Sequence, residues 1–577
     1  MAVPWNIPNS GSQLFYLDKE AADYKALLSI SHIPHPDRSL LGAYIQRAKD
    51  PQVAARNFLR RTSRQDDSDE PPEETIAEFL DKWKTVVEKF RPIEAEALST
   101  ETKQLVYERD GACCCVTRDS FQSFLDPNAV YVHVIPPSVF EDPKLSEGAV
   151  FSNMLAAHTS VDELNNLRLI LKGQKEQPSG NLWLLHRKAF DLFRTGQLYF
   201  PVCTWAHPPN TSLRRAHSIF PNDFVFDYPD WCQTSNKAVL ENRTPQCASI
   251  LNEDLLNFQC YISKSLLWIE MSRYLGDPVP NDDTGTGSES RLFRCVKNFL
   301  LRAFCRIWTT VVPQALRARL YNRLIPIGLN KYSSPHSMTT WRLPFGLYLR
   351  KSSPGLARNN IAEFHALRMV EKFTRIPAPR ALDVFSTPKH SYLLMTRVPG
   401  RPIGPVLSTM TDNNLEQVVI DLKDIVSQLR SIPNKTTEGY QICNVLGQGF
   451  LDWRIGDSQR EELRFKSETE FNKYLTDPLI KEVKEKAVVS HDISHEITFT
   501  HGDLNPRNIL VDENRRICGV VDWENAGFFP EYWEYSKMHY TVRSLIRWLA
   551  DVVDRVFEGY RKELHVENML SDALGPF

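Results

Sequence analysis

The residues best suited to chemistry lie in His501-Gly502-Asp503-Leu504-Asn505-Pro506-Arg507-Asn508, followed by Asp522-Trp523-Glu524. An Asp, an Asn five residues later and a second Asp fourteen residues beyond that suit phosphoryl transfer. That reaction asks a protein for positioning and charge neutralisation more than for covalent help. In such a constellation Asp503 orients an acceptor hydroxyl and takes its proton. Asn508 and Asp522 offer oxygens to magnesium, a hard cation. The competing reading is a surface loop with chance carboxylates. Agreement of several residue types with two spacings weighs against it.

These groups need elements to hold them. Ile509-Leu510-Val511 predicts a short buried strand and Asp512-Glu513-Asn514 a turn. Ile517 to Val521 predicts a second strand that ends at Asp522, so a hairpin would set Asn508 and Asp522 side by side at its mouths. Upstream, Leu343 to Lys351 predicts a strand and Ile361 to Phe373 a helix. Ser391 to Arg397 predicts a strand that leads into a Pro399-Gly400-Arg401-Pro402 turn, and Asn414 to Ile432 predicts a helix. Neighbours on a strand leave it on opposite faces. Leu343, Phe345, Leu347 and Leu349 would share the Lys351 face and Tyr348 the Arg350 face, so only one of the two cations can enter a cleft.

The HGDLNPRNIL…GVVDWENAG pattern resembles the aminoglycoside-phosphotransferase-like branch of the protein-kinase-like fold, and in particular its filamentous-fungal members. Phe529 to Lys537, Leu343 to Leu349, Glu371 to Pro379 and the hinge-like Tyr392 to Gly400 are similar to that set, over about residues 292 to 577. The resemblance implies a two-lobed domain that uses ATP and Mg²⁺ and acts on a small-molecule acceptor. Asp503 would be the base, and Asn508 and Asp522 the metal ligands. Arg350 takes the place of the family's phosphate-binding lysine, with Lys351 beside it, Glu363 as ion-pair partner and Met395 at the nucleotide hinge. Arg can hold phosphate bidentately but does not substitute freely for Lys. No Gly-rich loop precedes the strand, so Lys331 to Ser337 would have to cover the phosphates.

A second resemblance lies between about residues 100 and 205. Glu108 to Thr117, His133-Val134-Ile135-Pro136, Asn181 to Leu185 and Gly196 to Pro201 are similar to fungal HNH-endonuclease-like domains. It implies a ββα-metal module in which His133 acts as base, Asn181 steadies the loop and a final His binds metal. The place of that final His is Phe190; His186, four residues earlier, is the available substitute. Val132 cannot ligate metal, and Cys113 and Cys115 make only half a zinc site. A core histidine at His133 is the competing reading.

Composition sets the frame. With 42% hydrophobic and 24% charged residues the chain reads as globular, and no apolar run approaches a membrane span. Eleven scattered cysteines and a start without signal-peptide character predict a reducing compartment, cytoplasm or nucleus. From Ser290 to Ala362 there are thirteen Lys and Arg and no Asp or Glu, so with a net charge of −2 the remainder carries −15. Such a block attracts nucleotide phosphates, nucleic acid or anionic lipid, or it pairs with the acidic remainder. Phe293, Val296, Phe299, Leu300 and Phe304 within it predict a basic amphipathic helix.

The expected fold class is α+β: a two-lobed protein-kinase-like domain at 291–577, preceded by a separate small ββα-metal-like module at 99–275. Residues 1–98 form an N-terminal region with an acidic connector, and 276–290 a linker. The function expected is an ATP- and Mg-dependent small-molecule phosphotransferase. The alternatives are a nucleotide-binding pseudokinase with a regulatory role and a metal-dependent nuclease acting through the N-terminal module.

Overall fold

The computed structural model describes residues 20–63, 73–117, 119–173, 178–199, 211–214, 217–218, 238–241, 243–244, 249, 251–276, 308–332, 339–434, 439–452, 454–459, 461–477, 481–541 and 546–574. The linker beyond Gly276, the amphipathic segment at 293–304 and most of the acidic connector and of the proposed phosphate cover at 331–337 lie outside them. The described residues divide into two compact units, 20–276 with 405–412, and 308–404 with 413–574.

The first unit is mainly helical. Its helices are α1 (Ala22–Ser29), α2 (Asp37–Gln46), α3 (Pro51–Thr62), α4 (Glu73–Lys89), α5 (Thr100–Arg109), α6 (Val150–His158), α7 (Val161–Gly173), α8 (Arg187–Arg194) and α9 (Glu253–Gly276). Asp50 starts α3: its carboxylate accepts from the N–H groups of Gln52 and Val53, and Pro51 fills the first position. In α4, Ile76, Phe79, Leu80, Trp83, Val86 and Val87 recur at helical spacing and are buried. Trp83 Nε1 donates to Ser265 Oγ on α9 at 3.2 Å, so the two helices share one core.

Three strands, β1 (Ile93–Glu94), β2 (Ala129–His133) and β3 (Leu182–His186), form an antiparallel sheet in that order. Fully buried Arg109 ties the sheet to α5. It pairs with Asp110 at 2.6 Å and donates to the carbonyls of Ser179 and Leu182 at 2.6 and 2.7 Å. Asp110 in turn accepts from the Leu184 N–H at 3.1 Å.

The second unit opens with α10 (Gln314–Tyr332) and a four-stranded antiparallel sheet. Its strands are β4 (Thr340–Leu343), β5 (Leu347–Ser352), β6 (Ala381–Ser386) and β7 (Ser391–Thr396), ordered β6-β7-β5-β4. The single strand expected from Leu343 to Lys351 is therefore two. Pro344-Phe345-Gly346 turns the chain, with Phe345 at φ 65° and Gly346 at φ 70°, and Phe345 stands 88% exposed rather than on the apolar face. The alternation beyond the turn survives. Leu349, Tyr392 and Leu394 pack with Ala318 and Tyr321 of α10. Arg350 leaves the other face, toward α11 (Ala357–Phe373). Buried Arg317 of α10 pairs with Asp383 of β6, and Tyr321 donates to the same carboxylate at 2.8 Å. Part of the basic segment is thus neutralised inside the unit.

The remainder carries α12 (Asp412–Arg430), β8 (Arg401–Pro402), β9 (Cys443–Asn444), α13 (Glu468–Thr476), α14 (Lys481–His491), β10 (Ile497–Thr500), β11 (Ile509–Val511), β12 (Ile517–Val520), β13 (Gly527–Pro530), α15 (Trp533–Thr541) and α16 (Arg561–Leu574). Strands β8, β11 and β12 form one small sheet, and β9, β13 and β10 another. A core around Phe450, Phe471, Phe529, Trp533, Val566 and Leu570 holds the helices to the second sheet.

Candidate active site

Hairpin β11–β12 pairs Ile509 with Val520, and the Val521 N–H donates to the Asn508 carbonyl at 2.9 Å. Asn508 and Asp522 therefore stand at the two mouths of one hairpin. Asp522 has φ 68°, a left-handed conformation that Asp and Asn adopt more readily than other residues with a side chain.

The loop before β11 is built from inside. His501 is fully buried; its Nδ1 accepts from the Asp503 N–H at 3.2 Å, which leaves Nε2–H to donate to the Val521 carbonyl at 3.0 Å. Burial depresses its pKa to about 4, so the ring is a neutral strut. Gly502 has φ 76°, and a Cβ there would lie 2.6 Å from the Asn525 carbonyl oxygen, so a side chain does not fit. Asp503 is held at both carboxylate oxygens: Asn505 Nδ2 donates to Oδ1 at 2.8 Å and Asn508 Nδ2 to Oδ2 at 2.9 Å. Burial raises its pKa to about 6, against the opposing pull of Asn505 and the Lys537 charge. Because the side-chain Nδ2 of Asn508 is spent on Asp503, the side-chain Oδ1 is the group left for a cation.

Three carboxylates converge on Arg350. Its Nη1 lies 3.0 Å from Glu363 and 2.7 Å from Glu524, and its Nη2 pairs with Asp522. Burial works against the guanidinium charge, but Glu363, Asp522 and Glu524 outweigh it and hold its pKa above the ordinary value. Burial pushes the Glu363 and Glu524 carboxyls up. Lys351 leaves the opposite face and donates to Asn322 on α10 at 2.9 Å, outside this constellation. Met395 is buried in β7, one residue before the end of the strand.

Several contributors were not expected from sequence. Buried Glu534 at the start of α15 accepts from the N–H groups of His501 and Gly502 at 2.5 and 3.2 Å, and burial raises its pKa to about 7. It clamps the loop that carries Asp503 from 32 residues away. Buried Asp452 receives Lys537 Nζ at 2.8 Å and Trp533 Nε1 at 3.1 Å. Glu524 is the third carboxylate on Arg350. Only its place in Asp522-Trp523-Glu524 signalled it.

In the first unit His133 ends β2, with Nδ1 buried and unpartnered and its pKa lowered by burial. Asn181 staples the following loop, donating to the Ile135 carbonyl at 2.7 Å and accepting from its N–H at 3.1 Å. His186 ends β3 and caps α8 through the Lys188 N–H at 3.2 Å; it does not sit on the helix. Phe190 is buried at 2% exposure. Burial raises the Cys115 thiol pKa well above its usual value, the opposite of what a thiolate ligand needs. Among the described residues no group of three His, Cys, Asp or Glu could hold a metal ion, and no helix is long and apolar enough to cross a membrane.

Residues 337–565 match the phosphotransferase enzyme family, APH. Among solved structures the chain is similar to aminoglycoside phosphotransferase APH(3'')-Id from Streptomyces rimosus in complex with ADP and streptomycin. That match has 15% identity and a TM-score of 0.30 and covers 44% of this chain and 97% of that one. It is also similar to the GDP complex of wild-type aminoglycoside 2'-phosphotransferase-IIIa, with 11% identity, a TM-score of 0.31 and coverage of 44% and 86%. A third is macrolide 2'-phosphotransferase MphH from Brachybacterium faecium, with 14% identity, a TM-score of 0.27 and coverage of 43% and 88%. No curated protein matches the chain.

Proposed function

We propose that the second unit is a phosphotransferase that moves the terminal phosphoryl group of ATP to a hydroxyl of a small molecule. One observation carries this reading: Asp503, Asn508 and Asp522 meet at one hairpin mouth, with Asp522 ion-paired to Arg350 and Arg350 to Glu363. The match of residues 337–565 to the phosphotransferase family supports it.

Asp503 takes the proton of the acceptor hydroxyl as that oxygen bonds to phosphorus and ADP leaves. Its pKa of about 6 leaves it ionised at neutral pH, and its two amide partners fix its direction. The side-chain Oδ1 of Asn508 and the Asp522 carboxylate fit Mg²⁺, which takes few protein ligands and keeps several waters. When bound there, the ion would offset the negative charge of the phosphates. Arg350, on its Glu363 anchor, faces the same space and suits a phosphate oxygen.

A small acceptor is favoured by the chain after Asp522. Only four residues separate it from β13, which leaves no room for a long segment to dock a protein substrate. For the first unit we infer a role other than nucleolytic. A capping His186, a buried Phe190 and a half-buried His133 whose Nδ1 has no partner do not assemble a metal centre.

The test is ADP release by the full-length protein with Mg-ATP across a panel of hydroxylated small molecules. Acceptor-dependent release that Asp503→Asn abolishes is expected. Mg-ATP binding without release under any acceptor would instead support the pseudokinase reading.

A further inference from the structure

We infer that Arg507 is a phosphoryl-binding residue, contacting the transferring group during the reaction. The inference rests on the phosphotransferase reading and deepens it.

Arg507 lies between the two functional ends of the catalytic loop, four residues after Asp503 and immediately before Asn508. Its backbone N–H donates to Asn505 Oδ1 at 2.9 Å, and its Nε points to the same oxygen at 3.5 Å. Asn505 is fully buried and donates through Nδ2 to Asp503 Oδ1 at 2.8 Å. One amide side chain therefore ties the guanidinium to the base. Asn505 engages the Nε edge only. The two terminal nitrogens are left to a ligand, and the side chain is exposed.

Charge accounting points the same way. Asp503, Asp522, Glu524 and Glu363 place four carboxylates around the site. Arg350 is held by three of them, and Lys537 is hydrogen-bonded to Asp452. Among the described residues Arg507 makes no ion pair, yet it is close enough for its charge to pull down the Asp503 pKa. A phosphoryl group in flight spreads negative charge over three oxygens and is stabilised by donors already in place. A planar guanidinium with two unoccupied nitrogens is the donor geometry that suits it. Asn505 would preorganise that guanidinium at its inner edge, so little ordering remains for the reaction step.

The experiment compares binding of Mg-ADP alone with Mg-ADP plus fluoroaluminate, a planar stand-in for the transferring phosphoryl, by calorimetry on the full-length protein. Wild type should bind more tightly when fluoroaluminate is added. Arg507→Gln should keep its Mg-ADP affinity and lose on the order of 10²-fold of that tightening, the usual cost of removing one such donor, and Arg507→Lys should recover part of it. Because the side chain is exposed, these variants should fold as wild type does, which circular dichroism checks. Equal tightening in wild type and Arg507→Gln would overturn the proposal and leave the phosphotransferase reading standing. So would an equal loss with and without fluoroaluminate, or a wild type that binds Mg-ADP but shows no tightening. A wild type that binds no Mg-ADP at all would overturn both.

Discussion

Arg350 and Lys351 are adjacent in the chain and end on opposite sides of one strand, Arg350 on Glu363 of α11 and Lys351 on Asn322 of α10. The pleat alone assigns one of two similar cations to the cleft. The choice has an energetic consequence, because Arg350 is the counter-charge for buried Glu363.

Arg350→Ala should therefore weaken Mg-ATP binding more than Lys351→Ala. It should also destabilise the fold by about 3–5 kcal/mol, the usual cost of leaving a buried charge unpaired. Arg350→Ala with Glu363→Gln separates the two effects: stability should recover and nucleotide affinity should not. Calorimetric affinities in which the Lys351 variant loses as much as the Arg350 variant would refute the assignment.

Asp522 is best tested with Asn. Its backbone sits at φ 68°, a conformation Asn tolerates well. Asp522→Asn should leave the fold intact while removing the dependence of nucleotide binding on Mg²⁺. A Mg²⁺ titration that still tightens nucleotide binding as in wild type would remove Asp522 from the metal site.

Asp503→Asn should retain nucleotide affinity and lose about 10²–10⁴-fold of the rate, the usual contribution of a general base. The pH profile gives a second handle. Asp503 works only when ionised, and its pKa is raised to about 6, so the rate should rise with pH through about 6 and level off above it. A profile flat from pH 5 to 8 would count against Asp503 as the base.

What the sequence reveals is what is local. Asn508 and Asp522 are brought together by a hairpin of three- and four-residue strands, and Ile509-Leu510-Val511 with its polar turn spells that hairpin out. The sides taken by Arg350 and Lys351 follow from two-residue alternation, which needs only the strand to exist. The break at Pro344-Phe345-Gly346 was signalled by its Pro and Gly, but the flanking leucines read as one continuous apolar face. His186 precedes Phe190 by four residues but lies outside the helix that carries Phe190, at its N-cap.

The long-range clamps have no local mark. Asp452 and Lys537 meet across 85 residues, and neither spacing nor residue type announces the pair. The two-unit division likewise rests on cores such as Trp83 against Ser265, 182 residues apart.

Glu534 gives the last prediction. Its carboxylate receives the N–H groups of His501 and Gly502, so it fixes the loop that carries Asp503 without touching the reactants. Burial raises its pKa from 4.5 to about 7. A carboxyl with a raised folded pKa holds its proton more tightly in the native state. Its contribution to stability is therefore fullest below the unfolded pKa of 4.5 and is lost as pH rises through about 7. Glu534→Gln keeps an acceptor oxygen for the loop and cannot ionise. In urea unfolding at pH 5 and pH 8, wild type should lose more stability than Glu534→Gln, and the variant should keep most of its turnover. Glu534→Ala leaves two buried N–H groups without an acceptor and should cost about 1–3 kcal/mol for each, with the rate falling as Asp503 loses its position. If the Gln variant and wild type show the same dependence of stability on pH, Glu534 is not the titrating clamp of this loop.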